Sequence, residues 1–413
     1  MTTKSKTEPK TGPLNGIRVL DLTRILAGPT CTQLFGDLGA DIIKIERPQS
    51  GDDTRTWGPP FVKDQKGNDT RESAYYLCAN RNKRSVAIDM SSPQGAKLIR
   101  QLASKCDVLI ENFKLGGLKK YGLDYASMKQ EFPNLVYCSI TGFGQTGPNA
   151  QKAGYDLMAQ GYGGIMSLTG EPEGEPMKVA VGIADVMCGM YASTAILAAL
   201  RHRDLTGQSQ HIDLALVDTQ VSWLINSGLN YLTGGTPPAR QGNQHANIVP
   251  YQVFEVSDGH VIIAVGNDGQ YQRFCALLNH PELATDERFL TNKNRLENKQ
   301  ILVPILNDIL ITWKKQDLLD GMDERGVPAG PINTVPEVFD TDQVKARDMK
   351  ITMDHPTSQS GSVDLIGNPL KFSETPVQYN RPPPLLGEHT KEVLTQLLGD
   401  AAYQEAKSKN IID

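Results

Sequence analysis

Six short apolar runs, separated by stretches of helical length, constrain what this chain can fold into more than any other feature. They fall at residues 17–22 (IRVLDL), 41–46 (DIIKIE), 85–90 (SVAIDM), 107–110 (DVLI), 135–140 (LVYCSI) and 211–216 (HIDLAL). Between and beside them lie helical segments at about 30–38, closed by Gly39, at 93–105 with Pro93 near the first turn, and at 123–132, 186–203 and 217–232. Runs this apolar, alternating with helices, belong to a parallel sheet covered on both faces, so the expected fold class is α/β.

The remainder is organised differently. Residues 51–60 (GDDTRTWGPP) have no periodicity and read as a long loop. The Gly/Pro/Gln-rich stretch 234–242 reads as a linker into a second domain, which opens with strands at 251–256 and 260–264 joined by an Asp258-Gly259 turn. Helical segments follow to about 324. The tail holds the stiff segment Arg381-Pro-Pro-Pro384 and a last amphipathic helix from Thr390.

A chain of 413 residues calls for two or three domains. Its net charge of −5, with 22% charged residues, carries no basic tract for nucleic acid. No apolar run is expected to reach the roughly 18–20 residues that span a bilayer, and the first twelve residues (MTTKSKTEPKTG) lack the apolar core of a secretory signal. Six scattered cysteines without CxxC pairs suit reduced thiols in a cytoplasmic protein. Neither membrane nor nucleic acid is an expected partner.

Missing motifs narrow the chemistry. The chain has no GxxxxGK[ST] loop, no HExxH, no zinc-spaced Cys/His cluster and no GxSxG elbow, so no metal site is expected. Gly142-Phe143-Gly144-Gln145-Thr146-Gly147 matches GxGxxG, yet Pro148 follows at once and the motif comes after a late strand. That disfavours a dinucleotide fingerprint and leaves a loop whose backbone can approach a ligand. Arg24 and Arg47 follow the first two strands, where α/β sheets bind anions, and Lys83 and Arg84 precede the third; solvated surface charge is the plainer reading of all four. Asp185, just before a long small-residue helix, reads on pattern alone as an N-cap.

Ten segments taken together resemble the family III (CaiB/BaiF) CoA-transferases: 14–29 (LNGIRVLDLTRILAGP), 38–48 (LGADIIKIERP), 82–85 (NKRS), 107–113 (DVLIENF), 139–148 (SITGFGQTGP), 153–160 (AGYDLMAQ), 182–189 (GIADVMCG), 242–254 (GNQHANIVPYQVF), 326–331 (GVPAGP) and 383–390 (PPLLGEHT). They recur in order over nearly the whole chain. The resemblance implies that Asp185 is the nucleophile of an acyl-CoA:carboxylate CoA-transferase, forming an acyl anhydride and then an aspartyl-CoA thioester. Gly142, Phe143 and Gly144 are the candidate oxyanion or substrate loop. For CoA the resemblance implies Arg24 through Gly28, with Ala27 among them, together with Arg47, Lys83, Arg84, Asn112, Phe113 and Lys120. CoA is then a substrate, and no tightly bound cofactor is expected.

Residues 51–62 and 248–252 look most like succinyl-CoA:glutarate and hydroxymethylglutarate enzymes. On the substrate side this puts Tyr155, His245 and Arg55, which either meets a distal carboxylate or orders its own loop through Asp52 or Asp53. Arg24-Ile25-Leu26 and Thr141 depart from the formyl-CoA pattern. The α-methylacyl-CoA racemases share these segments but place a His in a GHD triplet; here the triplet is Gly154-Tyr155-Asp156, and tyrosine is a poor base at neutral pH. A CoA-binding protein without catalysis is the remaining alternative. The implied fold is a Rossmann-like large domain from both chain ends (1–224 and 336–413), a smaller inserted α+β domain (225–335), and an interlocked homodimer.

Overall fold

The computed structural model describes residues 12–412. All six apolar runs become strands: β1 (Arg18–Asp21), β2 (Asp41–Glu46), β5 (Lys83–Ala87), β6 (Val108–Glu111), β7 (Val136–Thr141) and β8 (His211–Ala215). A small antiparallel hairpin, β3 (Phe61–Lys63) and β4 (Asp69–Ser73), precedes β5. The connecting helices are α1 (Ala27–Asp37), α2 (Ala74–Leu77), α3 (Pro93–Ala103), α4 (Tyr125–Glu131), α5 (Asp156–Tyr162), α6 (Ile183–Thr206) and α7 (Leu216–Ser222). The six strands are parallel throughout and lie in the order β5-β2-β1-β6-β7-β8. Successive strands run outward from β1 to one side and then, from β6, to the other. The order therefore reverses between β1 and β6, and ligands of such sheets bind in the crevice at the carboxyl end of that pair.

Alternating residues of each strand serve opposite faces. Val19, Ile42, Val108, Ile110, Val136, Cys138 and Ile140 pack with α1 and α6. Leu20, Ile43, Ile45, Val86, Leu109 and Tyr137 pack with α3, α4 and the two last helices, Thr390–Leu398 and Asp400–Ser408. Both faces are dry, which is why the strands read as continuous apolar runs.

The chain forms two compact units. One comprises the chain up to Ile165, Lys178–Leu224 and Gln343 onward; the other comprises Met166–Met177 and Ile225–Asp342. The second unit starts its main segment with α8 (Ile225–Gly234). Its sheet is antiparallel, with β9 (Tyr251–Val256) and β11 (Ala329–Pro331) on either side of β10 (Gly259–Ala264), and the hairpin turns at Gly259 with φ +140°. Helices Asp268–Leu277, Lys299–Leu310 and Lys315–Glu324 enclose its core around Phe254, Val261, Ile263, Phe274 and Leu306.

Two expectations need correction, and one element was missed. The single helix over 217–232 is two, broken at Trp223–Leu224 where Ile225 takes φ +40°. The hairpin of β3 and β4 was invisible because its residues are short-run and largely wet. A helix long and apolar enough to cross a bilayer does exist: α6 has 24 residues and mean hydropathy 1.6 over its most apolar stretch. Its inner face (Cys188, Ala192, Ile196, Ala199, Leu200) is used in packing on α1 and the sheet.

Candidate active site

Asp185 sits in the first turn of α6, 8% exposed. It is not the cap of its helix, as the pattern suggested. That task falls to Asp156, 29 residues earlier, whose Oδ1 accepts from the backbone N–H of Ala184 (2.8 Å) and Asp185 (3.4 Å); Gln160 Nε2 donates to its other oxygen at 2.7 Å. Four residues after Asp185 on the same helix face comes Gly189. A Cβ there would lie 2.5 Å from the carbonyl oxygen of Ala27, so α1 and α6 touch through backbone at this glycine. This close approach sets Asp185 beside Leu26 and Ala27 at the start of α1.

Burial raises the Asp185 carboxyl to about 7, and the negative Asp156 adds to the rise. The positive end of α6 acts in the other sense, toward the carboxylate. The result is a carboxyl poised to exchange its proton near neutrality, a signature of functional sites.

Asp185 borders a cleft of about 130 Å³ lined by Arg24, Ala27, Asn112, Phe113, Thr141, Gly142, Lys152 and Tyr155. Its floor is the reversal point of the sheet. Arg24 follows β1 and Asn112 follows β6, and the two clasp each other: Arg24 N–H donates to Asn112 Oδ1 at 3.0 Å, and Asn112 Nδ2 donates to Arg24 O at 2.8 Å. Phe113 lies under the Arg24 guanidinium at 5.4 Å. Arg24 and Phe113 also wall a second pocket of about 240 Å³, where the apolar Leu22, Ile45, Ile88, Met90 and Tyr121 are joined by Arg47, Lys44, Glu46, Asp52 and Asp89. Beyond Tyr121 and Ser91 lies a groove edged by Lys97, Arg100 and Lys120. A carboxyl, a polar waist, an apolar pocket and a basic groove thus follow one another along one side of the sheet.

Among the loop glycines, Gly142 reaches the cleft. It lies so close to Gly154 that a Cβ on either would come within 2.4 Å of the other's Cα, which brings the Tyr155 segment to the cleft wall. Gly144 has φ +84°, but its N–H donates to Thr141 Oγ1 at 2.9 Å and is not free for a ligand oxygen. The Phe143 ring packs edge-on against Tyr162.

Four of the sequence-based candidates have partners of their own within the chain. Arg55 is 1% exposed, with Nε and Nη2 on Glu46, Nη1 on Glu72, and further bonds to the Tyr76 hydroxyl and Pro384 O. It orders its loop through these glutamates rather than Asp52 or Asp53. Lys83 is fully buried, its ammonium held by Pro29 O and Asn80 Oδ1 at 3.0 Å; burial pulls it down to about 8 against the pull of Asp21. Arg84 is 5% exposed and bound to Asp41, Glu392 and Gln396. Both basic side chains are thus held by groups of this chain. His245 belongs to the other unit, where its ring packs on Tyr251 and its Nδ1 accepts from Asn247 N–H.

Sequence reasoning missed Asp156 as the capping partner and Tyr75 as a neighbour of Asp185. Burial, and then the Asp185 charge, raise the Tyr75 hydroxyl to about 12. Tyr75 in turn meets Trp57 edge-on at 5.2 Å. No spacing rule links these residues; only the fold does. Ser139 and His211 are bonded at 2.9 Å, but Ser139 is buried at 2% and is no exposed nucleophile.

Residues 14–390 match the model of CoA-transferase family III. The chain is 49% identical over 386 residues to the succinate–glutarate CoA-transferase of Agrobacterium fabrum, covering 93% of this chain and 96% of that one. It is 42% identical over 406 residues to the human succinyl-CoA:glutarate CoA-transferase, covering 97% and 90%. A crystal structure of a CaiB/BaiF family protein from Brucella suis superposes with a TM-score of 0.83 at 50% identity, over 94% of this chain and all of that one. With its sheet, its cleft and these relatives taken together, the chain belongs to the family III CoA-transferases, enzymes for which a CoA thioester is a substrate.

Proposed function

We propose that this enzyme moves CoA from succinyl-CoA to a dicarboxylic acid of the glutarate class, with Asp185 as the covalent carrier. A carboxylate oxygen of Asp185 attacks the thioester carbon, the C–S bond breaks, and CoA thiolate leaves a mixed anhydride. The thiolate then attacks the aspartyl carbon and the anhydride C–O bond breaks, freeing the donor acid and leaving an aspartyl-CoA thioester. The acceptor carboxylate reverses both steps. No electrons and no net proton are exchanged.

The observation that carries this reading is the buried, helix-initial carboxyl of Asp185 at the reversal-point cleft. No histidine lines the cleft among the described residues, which leaves a racemase without its base. Arg24, Arg47 and the Lys97–Lys120 groove supply cations for the phosphates of CoA, and the pocket of Leu22, Ile45, Ile88 and Met90 suits the adenine. The acyl substrates are those named for the similar enzymes of Agrobacterium and human. We infer a second copy of the chain as partner. Met190, Tyr191 and Leu197 of α6 are each about two-fifths exposed, and this apolar row supports the reading that a second copy covers it.

Intact-mass spectrometry after mixing with succinyl-CoA should show one CoA adduct per chain, removed by hydroxylamine and absent in Asp185→Ala. The variant's turnover should fall by on the order of 10⁴-fold. Wild-type enzyme that forms no adduct but exchanges the α-proton of an acyl-CoA with solvent would refute the transferase mechanism. Turnover with C4–C6 dicarboxylates then ranks the acceptors.

A further inference from the structure

Asp53 stands between two arginines. Its Oδ2 accepts from Arg24 Nη1 at 2.7 Å and its Oδ1 from Arg47 Nη2 at 2.5 Å. All three side chains are partly open to solvent, at 33–54%. The neighbouring Asp52 is used quite differently. It is buried on Lys44, receives both the N–H and the hydroxyl of Thr54, and ties the turn to Ile25 N; burial alone would raise it, but Lys44 and these bonds hold it near 2. Asp52 therefore anchors the turn, and the carboxylate of Asp53 is left to the two guanidinium groups.

Those guanidinium groups stand at the waist of the site. Arg24 belongs to the wall shared by the Asp185 cleft and the apolar pocket, and Arg47 lines that pocket. Arg24 Nε is in addition buried without a hydrogen-bond partner. An arginine fork serves a carboxylate or a phosphate equally well, one at a time per face.

We propose that Asp53 is a built-in competitor for the phosphate groups of the CoA substrate: its carboxylate pairs with Arg24 and Arg47 and gives up those bonds when the phosphates of CoA take them. This rests on the reading that CoA phosphates bind at these arginines. The carboxylate does not leave the neighbourhood when displaced, so it remains a like charge beside a bound phosphate and weakens its hold. Affinity for CoA is thereby set below what two unopposed arginines would give, and release of the product thioester is hastened.

The test is calorimetric titration of the full-length enzyme with free CoA, and with pantetheine as a phosphate-free probe. Asp53→Asn and Asp53→Ala should each bind CoA roughly 3- to 30-fold more tightly, leaving pantetheine affinity unchanged. The gain should shrink as salt rises. If both variants bind CoA equally or more weakly while Arg47→Ala weakens it, Asp53 serves to position the arginines and the competitor idea is overturned. If Arg24→Ala and Arg47→Ala both leave CoA affinity intact, the phosphates lie elsewhere, and the underlying placement of CoA fails together with the inference.

Discussion

At the scale of single residues, the chemistry of this site turns on how much water each charge keeps. Asp185 has lost nearly all of its water, and with Asp156 close by its carboxyl sits at about 7 rather than its ordinary value near 3.8. In the proposed mechanism Asp185 attacks in its ionised form, so kcat/KM for the acyl-CoA should climb with pH through about 7. Asp156→Asn keeps a side chain able to cap α6 but removes the like charge, which lowers the Asp185 value and moves the rising limb toward acid by roughly one unit. A limb that stays in place would mean that burial acts alone. Burial was also what the sequence could not express. Arg24 and Arg55 are indistinguishable as letters in loops after strands, yet one is shared between two pockets and the other is sealed among glutamates. Asp185 read as a cap because its true competitor for that role, Asp156, lies 29 residues away.

At the scale of elements, the strands were legible because a sheet dry on both faces writes itself as apolar runs. The 41–46 and 251–256 strands match their expected limits, and the others fall within three residues, the widest gap being at the end of β5. The start of α6 was not legible, since its cap comes from α5. The pairing of α1 with α6 is the element contact on which the site depends, and Gly189 permits it. Gly189→Ala puts a methyl 2.5 Å from a backbone oxygen that cannot swing aside. The two helices must part, at a cost of roughly 1–3 kcal/mol even though alanine favours a helix. The thermal midpoint and kcat should fall together, because Asp185 rides one turn away on the same face. A variant with unchanged melting and turnover would show that the contact has slack.

At the scale of the whole molecule, strand order was beyond the reach of local pattern. Six apolar runs allow many parallel sheets, and only long-range pairing selects the one that reverses between β1 and β6. The resemblance of ordered motifs supplied what periodicity could not. It also underlies the inferred dimer, for which sedimentation equilibrium should return about twice the 45.2 kDa chain mass; a monomer across micromolar concentrations would leave the α6 surface unexplained. One feature of the sheet reaches further. Its second face is closed by helices from the far end of the chain, so that the Ala87 N–H meets the Thr390 hydroxyl 303 residues later. At ~5–20 residues per second on the ribosome, that interval is roughly 15–60 s. For that long β5 lacks the C-terminal part of its cover although α3 and α4 are already made, so the sheet is finished only when the last two helices arrive.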